Sequence, residues 1–323
     1  QQRILEALGF SVTPADGGFD VAPPAWRGDI DGAADLVEEI GRIRGFDHLP
    51  MEHLPREDVV AKPSLSLAQA RLFRLRRALA TRGLMEAVTF SFLSEDDATR
   101  FGGGAENLKL VNPISADLSV MRPSILPNLL SAAARNQDRG EADAAMFEVG
   151  PVFPGDAPED QRTAATGIRH GGTAPREWHG SARAIDLFDA RADAEAALAA
   201  LGVKLAGVQV KADGADWFHP GRRGQLIQGL TVLASFGEIH PAVAEAYGLR
   251  GRVVGFGSHP DDVPMPKSKG PAKPLLGLSV YQPVTRDFAF IVERTVAAGD
   301  ILKAVKSGAG PLLSAMRIFD LSE

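Results

Sequence analysis

The sequence predicts an α+β protein in three parts: a small α+β domain, an antiparallel sheet with flanking helices, and a terminal βαβ unit. Strand and helix patterns are mixed through residues 63–258 without the regular alternation that marks a parallel sheet. Residues 260–274 then hold five prolines and three lysines, a composition typical of an extended, solvated linker. We therefore expect domains at residues 1–58 and 59–259, a linker at 260–277, and a last domain at 278–323.

Composition narrows the class of protein further. The 323 residues, 45% hydrophobic and 24% charged, are those of an ordinary globular protein with no apolar run of membrane-spanning length. The formal net charge of -6 argues against a protein that coats nucleic acid by bulk charge. The chain has no cysteine, so it has no disulfide or thiolate zinc site, and we expect a cytoplasmic location. Because the first residues hold neither Met nor a signal peptide, we expect a piece of a longer protein.

The first domain is predicted to contain two helices joined by a hairpin. A short apolar pattern ends at Gly9, which is a helix stop, and Asp16-Gly17-Gly18 is typical of a turn. A second helix is predicted over residues 33–44, closed by Gly45. Its core-facing stripe should contain Leu36, Ile40 and Ile43, which recur at i, i+4 and i+7.

The remaining elements follow from the same periodicities. In the central domain they are helices over 65–82, 129–136 and 190–201, strands over 87–92 and 145–153, and a hairpin turning at Gln228-Gly229. In the last domain they are strands over 286–292 and 315–319 around a helix that begins at Asp300. Two strands and one helix bury little core, so we expect this last domain to be incomplete.

Four carboxylates of the first domain form the most informative cluster: Asp29, Asp35, Glu38 and Glu39. A helix places Asp35, Glu38 and Glu39 on one face, and Asp29 precedes that helix in a loop that can fold back. Hard oxygen ligands of this kind suit Mg²⁺ better than zinc. A solvated face, with Asp35 at the helix N-terminus and Arg42 paired with Glu38 or Glu39, explains the same spacing.

Basic and histidine motifs point to structure more than to chemistry. The helix at 65–82 has four arginines that are expected to form a solvated face, with RNA contact as the less favoured alternative: Arg71, Arg74, Arg77 and Arg82. His219-Pro220 and His240-Pro241 are expected to fix strand ends, with each imidazole bonded to backbone. Arg286, Lys303 and Lys306 are candidates for weak RNA binding, because Lys303 and Lys306 lie three apart on one helix, although solvated charge explains them equally well.

Several ordered stretches of the chain are those of a known family. They are Trp26–Ile30, Asp35–Ile40, Asn112–Ser115, Met121–Ser124, Phe147–Gly150, Phe218–Arg222, Gly237–Pro241 and the region 281–320 with Arg286-Asp287. In their order and spacing, the chain resembles the β subunits of bacterial phenylalanyl-tRNA synthetases.

The resemblance implies a non-catalytic, class II synthetase-like central domain and a ferredoxin-fold anticodon-binding domain at residues 278–323. It implies an α subunit as partner, in an (αβ)₂ assembly that attaches phenylalanine to its tRNA with ATP bound by the α subunit. It assigns Asp29, Asp35, Glu38 and Glu39 to a Mg²⁺ ion shared with that subunit. We also expect an exposed apolar surface on the central domain, where the α subunit docks.

No catalytic residue is predicted in this chain. A class II active site needs an Arg-x-Glu pair on one central strand and an arginine on a glycine-rich strand. Residues 147–153 lack the first, and residues 253–257 lack the second. We therefore expect the isolated chain to be inactive. Two alternatives from other classes stay open: a Mg²⁺-dependent hydrolase built on the acidic cluster, and a stand-alone RNA-binding module.

Overall fold

The computed structural model describes residues 1–53, 63–174, 178, 180–265 and 275–322. The chain divides into two units, Gln1–Pro63 and Ser64–Glu323. The expected boundary at residues 58/59 lies outside the described residues, as do residues 266–274 of the expected linker.

The first unit has the two helices and the hairpin that the sequence predicts. Its elements are α1 (Gln2–Ala7), β1 (Ser11–Ala15), β2 (Gly18–Ala22) and α2 (Ala33–Arg44). Strands β1 and β2 pair antiparallel around a turn in which Gly17 has a φ of +76°. Because side chains other than glycine rarely adopt that angle, Gly17 makes the turn easy to form.

The core of the first unit is small and contains one carboxylate. Leu5 and Phe10 are its buried apolar residues. Glu39 is the buried residue of α2, whereas Ile43 is 51% exposed. The expected core position of Ile43 is therefore wrong. The buried face of α2 therefore contains the carboxylate of Glu39, and Arg27 and Arg42 of the same unit neutralise its charge.

The second unit is built around a mixed sheet. Its first elements are α3 (Leu67–Thr81), β3 (Met85–Glu86), β4 (Phe92–Leu93), α4 (Glu95–Arg100), β5 (Val120–Met121), α5 (Leu126–Asp138), β6 (Ala144–Val152) and β7 (Arg162–His170). They are followed by α6 (Leu187–Ala200), β8 (Gln209–Lys211), β9 (Phe218–Gln228), β10 (Thr231–Ile239), α7 (Pro241–Ala246) and β11 (Val253–Ser258). The seven-stranded order is β3-β6-β7-β11-β10-β9-β8, and every pair except parallel β3–β6 is antiparallel. The predicted antiparallel sheet is confirmed apart from that edge pair.

Helices cover both faces of this sheet. On one face, α3 and α6 pack Leu79 and Leu198 against Phe147 and Phe256. On the other face, residues of α5 such as Leu129 pack against β6 and β7. The central strands β6, β7 and β11 are therefore shielded from water on both sides, and their residues are buried or half-buried.

Two predictions for the central domain, residues 59–259, are wrong. The strand expected over 87–92 is interrupted: Ala87 N–H donates to Phe147 O at 2.7 Å, and Thr89 N–H then donates to the Glu148 carboxylate at 3.2 Å. The Glu148 side chain thus accepts the hydrogen bond from Thr89 that a backbone carbonyl of β6 would accept in a continuing strand. The backbone after Ala87 therefore leaves the sheet. Arg71 of α3 does not lie on a solvated face, because it is buried and its Nε donates to Leu201 O at 2.9 Å.

The last part of the chain contains one helix, α8 (Ala298–Ala309), close to the predicted position. Its N-cap is Ala297, so Asp300 lies within the first turn of the helix. The strands predicted over 286–292 and 315–319 are not formed, because neither segment pairs with another strand in the part of the chain that the structure describes.

Candidate functional site

The acidic cluster of the first unit is organised by Arg27, which helical spacing and metal-ligand chemistry do not predict. Arg27 Nε donates to Asp29 Oδ1 at 2.8 Å, and Arg27 Nη2 donates to Asp29 Oδ2 at 2.7 Å. The same Nη2 donates to Glu39 Oε1 at 2.9 Å. One guanidinium therefore joins the loop carboxylate to the helix carboxylate.

Glu39 has a second cationic partner. Arg42 Nη2 donates to Glu39 Oε2 at 2.5 Å, so both oxygens of this buried carboxylate are held by guanidinium groups. The predicted pairing of Arg42 with Glu38 or Glu39 is confirmed for Glu39. The guanidinium of Arg27 also lies 5.9 Å from the centroid of the Phe10 ring.

These contacts set the protonation of the cluster. The hydrogen bonds from Arg27 lower the pKa of Asp29 to about 2. Those from Arg27 and then Arg42 lower the pKa of Glu39 to about 2. The two carboxylates in turn raise the pKa of Arg27 above its ordinary value. All three groups are charged at neutral pH, and their charges partly cancel one another.

The other two predicted ligands have different surroundings. Asp35 Oδ2 accepts backbone N–H bonds from Asp31 at 2.9 Å and Gly32 at 2.8 Å, which lower its pKa and close the first turn of α2. Glu38 lies exposed on the same helix. The structure thus brings Asp29 and Glu39 together on one guanidinium, while Asp35 bonds to the N-terminus of α2.

The carboxylates as placed do not fit Mg²⁺. Within the described residues, no group of three or more acidic or histidine side chains could hold a metal ion. The reason is geometric: all four carboxylate oxygens of Asp29 and Glu39 already accept from arginine. Mg²⁺ needs oxygen ligands that are free of such partners.

The arginines of the central sheet are likewise engaged. Arg162 pairs with Asp262, Arg169 with Asp193 at 2.6 Å, Arg222 with Glu238 at 2.7 Å and Arg223 with Asp216 at 3.3 Å. Arg252, which precedes β11, also lies 3.2 Å from Glu238. Each guanidinium on these strands is thus neutralised by a carboxylate of the same chain.

Another charge pair is buried beside β6. Arg122 Nη2 lies 2.8 Å from Glu148 Oε1, and Arg122 Nε donates to Pro151 O at 2.8 Å. Thr89 Oγ1 donates to Glu148 Oε2 at 2.6 Å and accepts from Arg122 Nη1 at 2.9 Å. The network ties the chain between β3 and β4 to the sheet.

The histidines of the two His-Pro steps bond to backbone, as predicted. His219 Nδ1 accepts from Gly221 N–H at 3.1 Å, and His240 Nδ1 accepts from Ala242 N–H at 3.2 Å. The second contact caps α7. These imidazoles therefore stabilise turns.

The basic candidates of the last domain are exposed. Lys303 and Lys306 lie one turn apart on α8. Arg286 is exposed in the segment before that helix, and its Nη1 donates to Thr285 O at 2.9 Å. The structure places the two lysines together, and among the described residues no hydrogen bond or ion pair joins Arg286 to them.

Comparison with known proteins matches three family models in order along the chain. They are the tRNA synthetase B5 domain over residues 1–46, the phenylalanyl tRNA synthetase beta chain CLM domain over 52–257, and the ferredoxin-fold anticodon binding domain over 279–322. The chain belongs to the phenylalanyl-tRNA synthetase β-chain family. The predicted family is confirmed.

Relatives in this family align with the whole chain. It is 48% identical to the phenylalanine–tRNA ligase β subunit of Bradyrhizobium diazoefficiens, across 100% of this chain and 41% of that protein. It is 49% identical to that of Rhodospirillum rubrum, across 98% of this chain and 40% of that protein. The chain thus spans about two-fifths of the length of these relatives. A solved pyrrolysyl-tRNA synthetase from Desulfitobacterium hafniense aligns with 70% of this chain and 72% of its own, at 15% identity and a TM-score of 0.46.

A membrane location gains no support from the helices. Among the described residues, none of them combines the length and the apolar character needed to cross a bilayer.

Proposed function

We propose that this chain acts as part of a non-catalytic β subunit of phenylalanyl-tRNA synthetase, which supports the α subunit in the ATP-dependent attachment of phenylalanine to its tRNA. The observation that carries the proposal is the ordered match of three β-chain domain models, at residues 1–46, 52–257 and 279–322. The expected domains at 1–58, 59–259 and 278–323, with a linker at 260–277, follow the same order. The location proposed for this assembly is the cytoplasm.

The pairing of the sheet arginines supports a non-catalytic role. ATP phosphates need free cationic donors, and each of Arg162, Arg169, Arg222 and Arg223 is paired with a carboxylate. In this proposal ATP is bound by the α subunit and not by this chain. The pure chain should give no phenylalanine-dependent ATP–pyrophosphate exchange, and exchange above a no-enzyme blank would overturn the non-catalytic role.

Docking of the α subunit, in an (αβ)₂ assembly, is assigned to the central domain, residues 59–259. Large apolar side chains stand exposed between α3 and β4, namely Met85, Val88 and Phe90. Val88→Glu should weaken co-elution with the α subunit of the same organism in size-exclusion chromatography. Leu230→Glu, in the turn between β9 and β10 and equally exposed, is the matched control. Failure of the unmodified chain to co-elute with the α subunit would contradict the proposed partnership.

Transfer-RNA binding is assigned to the last domain. Substituting Arg286, Lys303 and Lys306 together by glutamine should reduce the salt dependence of tRNA affinity in the complete synthetase. The slope of log affinity against log salt concentration should fall by about 1 for each phosphate that is no longer neutralised. An unchanged slope would show that these side chains are only solvated. A Mg²⁺-dependent hydrolase gains no support from the acidic cluster as it is arranged, and the formal net charge of -6 disfavours a stand-alone RNA-binding module.

A Mg²⁺ ion shared with the α subunit remains part of the proposal, with ligands from Asp29, Asp35, Glu38 and Glu39. When bound, the ion would supply positive charge between these carboxylates and the partner. Because Arg27 and Arg42 hold the oxygens of Asp29 and Glu39, the arrangement of these two carboxylates does not itself support this part of the proposal.

A further inference from the structure

A cavity of about 190 Å³ lies in the central domain, between the start of α5 and the sheet. Leu126 of α5 and Ala164 of β7 line it, and both belong to the apolar cluster on the α5 face of the sheet. Its apolar wall also includes the rings of Phe101 and Trp217, whose centroids are 5.4 Å apart. The cavity is partly open to solvent, so small molecules have access to it.

Three neighbouring strands leave this space open, because each has glycine or a small hydroxyl residue in the same cross-strand row. Thr166 of β7 pairs with Gly257 of β11, and Gly257 pairs with Ser235 of β10. Residues that pair across a sheet project to the same side, and all three line the cavity. Among the described residues, a Cβ at Gly257 would meet nothing closer than Thr166 Oγ1 at 3.8 Å. Larger side chains in this row would fill the cavity.

The row carries two hydroxyl groups that no protein group satisfies. Thr166 is only 5% exposed. Neither its hydroxyl nor that of Ser235 forms a hydrogen bond within the part of the chain that the structure describes. Removing a hydroxyl from water without a hydrogen bond is unfavourable, and a ligand that bonds to it recovers part of that free energy. The cavity therefore has one polar side, on the sheet, and apolar walls elsewhere.

Charged ligands do not suit this cavity. None of the described residues that line it is Asp, Glu, Lys or Arg. Glu148, the cross-strand partner of Thr166 on β6, is already bonded to Arg122 and Thr89. An ionised ligand would therefore lose its hydration without a carboxylate, guanidinium or ammonium group to replace it.

We propose that this cavity is a binding site for a neutral, single-ring aromatic molecule with one hydrogen-bonding substituent. The volume suits one ring, since an engineered cavity of about 150 Å³ is enough to bind benzene. The ring packs against Phe101 and Trp217, and its substituent bonds to the hydroxyls of Thr166 and Ser235. This site goes beyond the function proposed above and does not depend on it, because residues of this chain form the lining.

The test is binding of 4-fluorophenol to the 323-residue chain, followed by the ¹⁹F signal of the ligand. We expect saturable binding with a Kd below about 1 mM. The anion 4-fluorobenzoate should show no saturable binding in the same range, because the lining offers it no counter-charge. Absence of saturable binding of 4-fluorophenol would overturn the proposal. Equal binding of 4-fluorobenzoate would also overturn it, since His259 of the lining would then act as a cation for a charged ligand.

A matched pair of variants shows whether the probe occupies the cavity. Thr166→Val keeps the shape of the side chain and removes its hydroxyl, so it should weaken 4-fluorophenol about three- to tenfold. Fluorobenzene, which has no hydroxyl, should change by less than about twofold. Thr163→Val is the same change on the same strand, at a residue that does not line the cavity, and should alter neither affinity. Equal effects of the two variants on 4-fluorophenol would contradict the assignment.

A second measurement uses the unmodified chain, should Thr166→Val fold poorly. Nuclear Overhauser contacts should join the ring protons of 4-fluorophenol to the methyl group of Thr166 and to the indole ring of Trp217. Saturable binding without these contacts would place the ligand elsewhere on the chain, and the proposal would be abandoned. Each of these outcomes leaves the docking of the α subunit unaffected, because co-elution tests that separately.

Discussion

The charge network beside β6 predicts which single substitution should destabilise the central unit most clearly. Arg122→Met keeps the length of the side chain and removes its charge and its donors. The side chains of Arg122 and Glu148 are 1% and 5% exposed, so water cannot take the place of the guanidinium. Glu148 would keep only its bonds from Thr89.

Breaking a buried ion pair on one side costs about 3–5 kcal/mol, because it leaves a charge uncompensated in the interior. Pro151 O also loses the donor Arg122 Nε. We therefore expect Arg122→Met to lower the free energy of unfolding of this unit by about 3–5 kcal/mol. The double variant Arg122→Met/Glu148→Leu should be less damaging than the single one, since it leaves no unpaired charge.

Urea denaturation followed by tryptophan fluorescence measures the effect. Trp217 is partly buried and its ring centroid lies 5.4 Å from that of Phe101, whereas Trp26 and Trp178 are largely exposed and should report little. The control is Arg191→Met, which breaks a pair with Glu195 whose side chains are 38% and 32% exposed. That control should cost only a few tenths of a kcal/mol, about 0.3–0.5. A destabilisation by Arg122→Met within about 1 kcal/mol of the control would refute the reasoning.

Three further outcomes follow from named contacts. The pKa values of Asp29 and Glu39 are lowered to about 2 from 3.8 and 4.5, so their contribution to stability is present above pH 4.5 and is lost as the pH falls toward 2. Arg27→Gln should reduce the loss of stability of the first unit between pH 4.5 and about pH 2, measured by unfolding at a series of pH values. An unchanged dependence of stability on pH would contradict the role of Arg27 in lowering these pKa values. Gly167→Ala should cost about 1–3 kcal/mol, because a Cβ there would lie 2.5 Å from Phe256 Cε1, whereas at Gly257→Ala its nearest neighbour is 3.8 Å away. If Gly167→Ala and Gly257→Ala unfolded at the same urea concentration, the packing argument would be contradicted. Asp193→Asn should cost about 1–3 kcal/mol, because the carboxylate is buried and binds Arg82 and Arg169 at 2.6 Å, whereas the arginines left without it are 34% and 15% exposed. A destabilisation no larger than that of Arg191→Met would contradict this prediction.

Helices and hairpins whose ends are set by nearby residues could be predicted closely from the sequence. Helix α2 occupies residues 33–44 as expected, because Gly32 and Gly45 bound it and Asp35 closes its first turn. The hairpin of β9 and β10 also turns beside Gly229, as Gln228-Gly229 predicts. Local signals of this kind act within a few residues, and no tertiary contact has to be known.

The site shows where such local reasoning stops. Helical spacing identifies Asp35, Glu38 and Glu39, and loop position adds Asp29. It misses Arg27, although this residue precedes Asp29 by two positions, because its second partner, Glu39, is twelve residues away and is reached only when the loop folds back onto α2. The signal that could have found it is the need of clustered carboxylates for a counter-charge, which the basic residue nearest to Asp29 can supply.

The segment around residues 286–292 shows the difference between strand character and a strand. Phe288 and Phe290 have ring centroids 6.3 Å apart and nearly parallel planes, so alternate side chains project to the same side, as in a strand. Both are exposed, as is Ile291, and no ladder partner is present within the described residues. Period-two patterning therefore specifies which face the segment can bury, whereas the hydrogen bonds that make it a strand depend on a second backbone. The same reasoning applies to residues 315–319, whose apolar Phe319 also stays exposed because no strand of the described chain pairs with this segment.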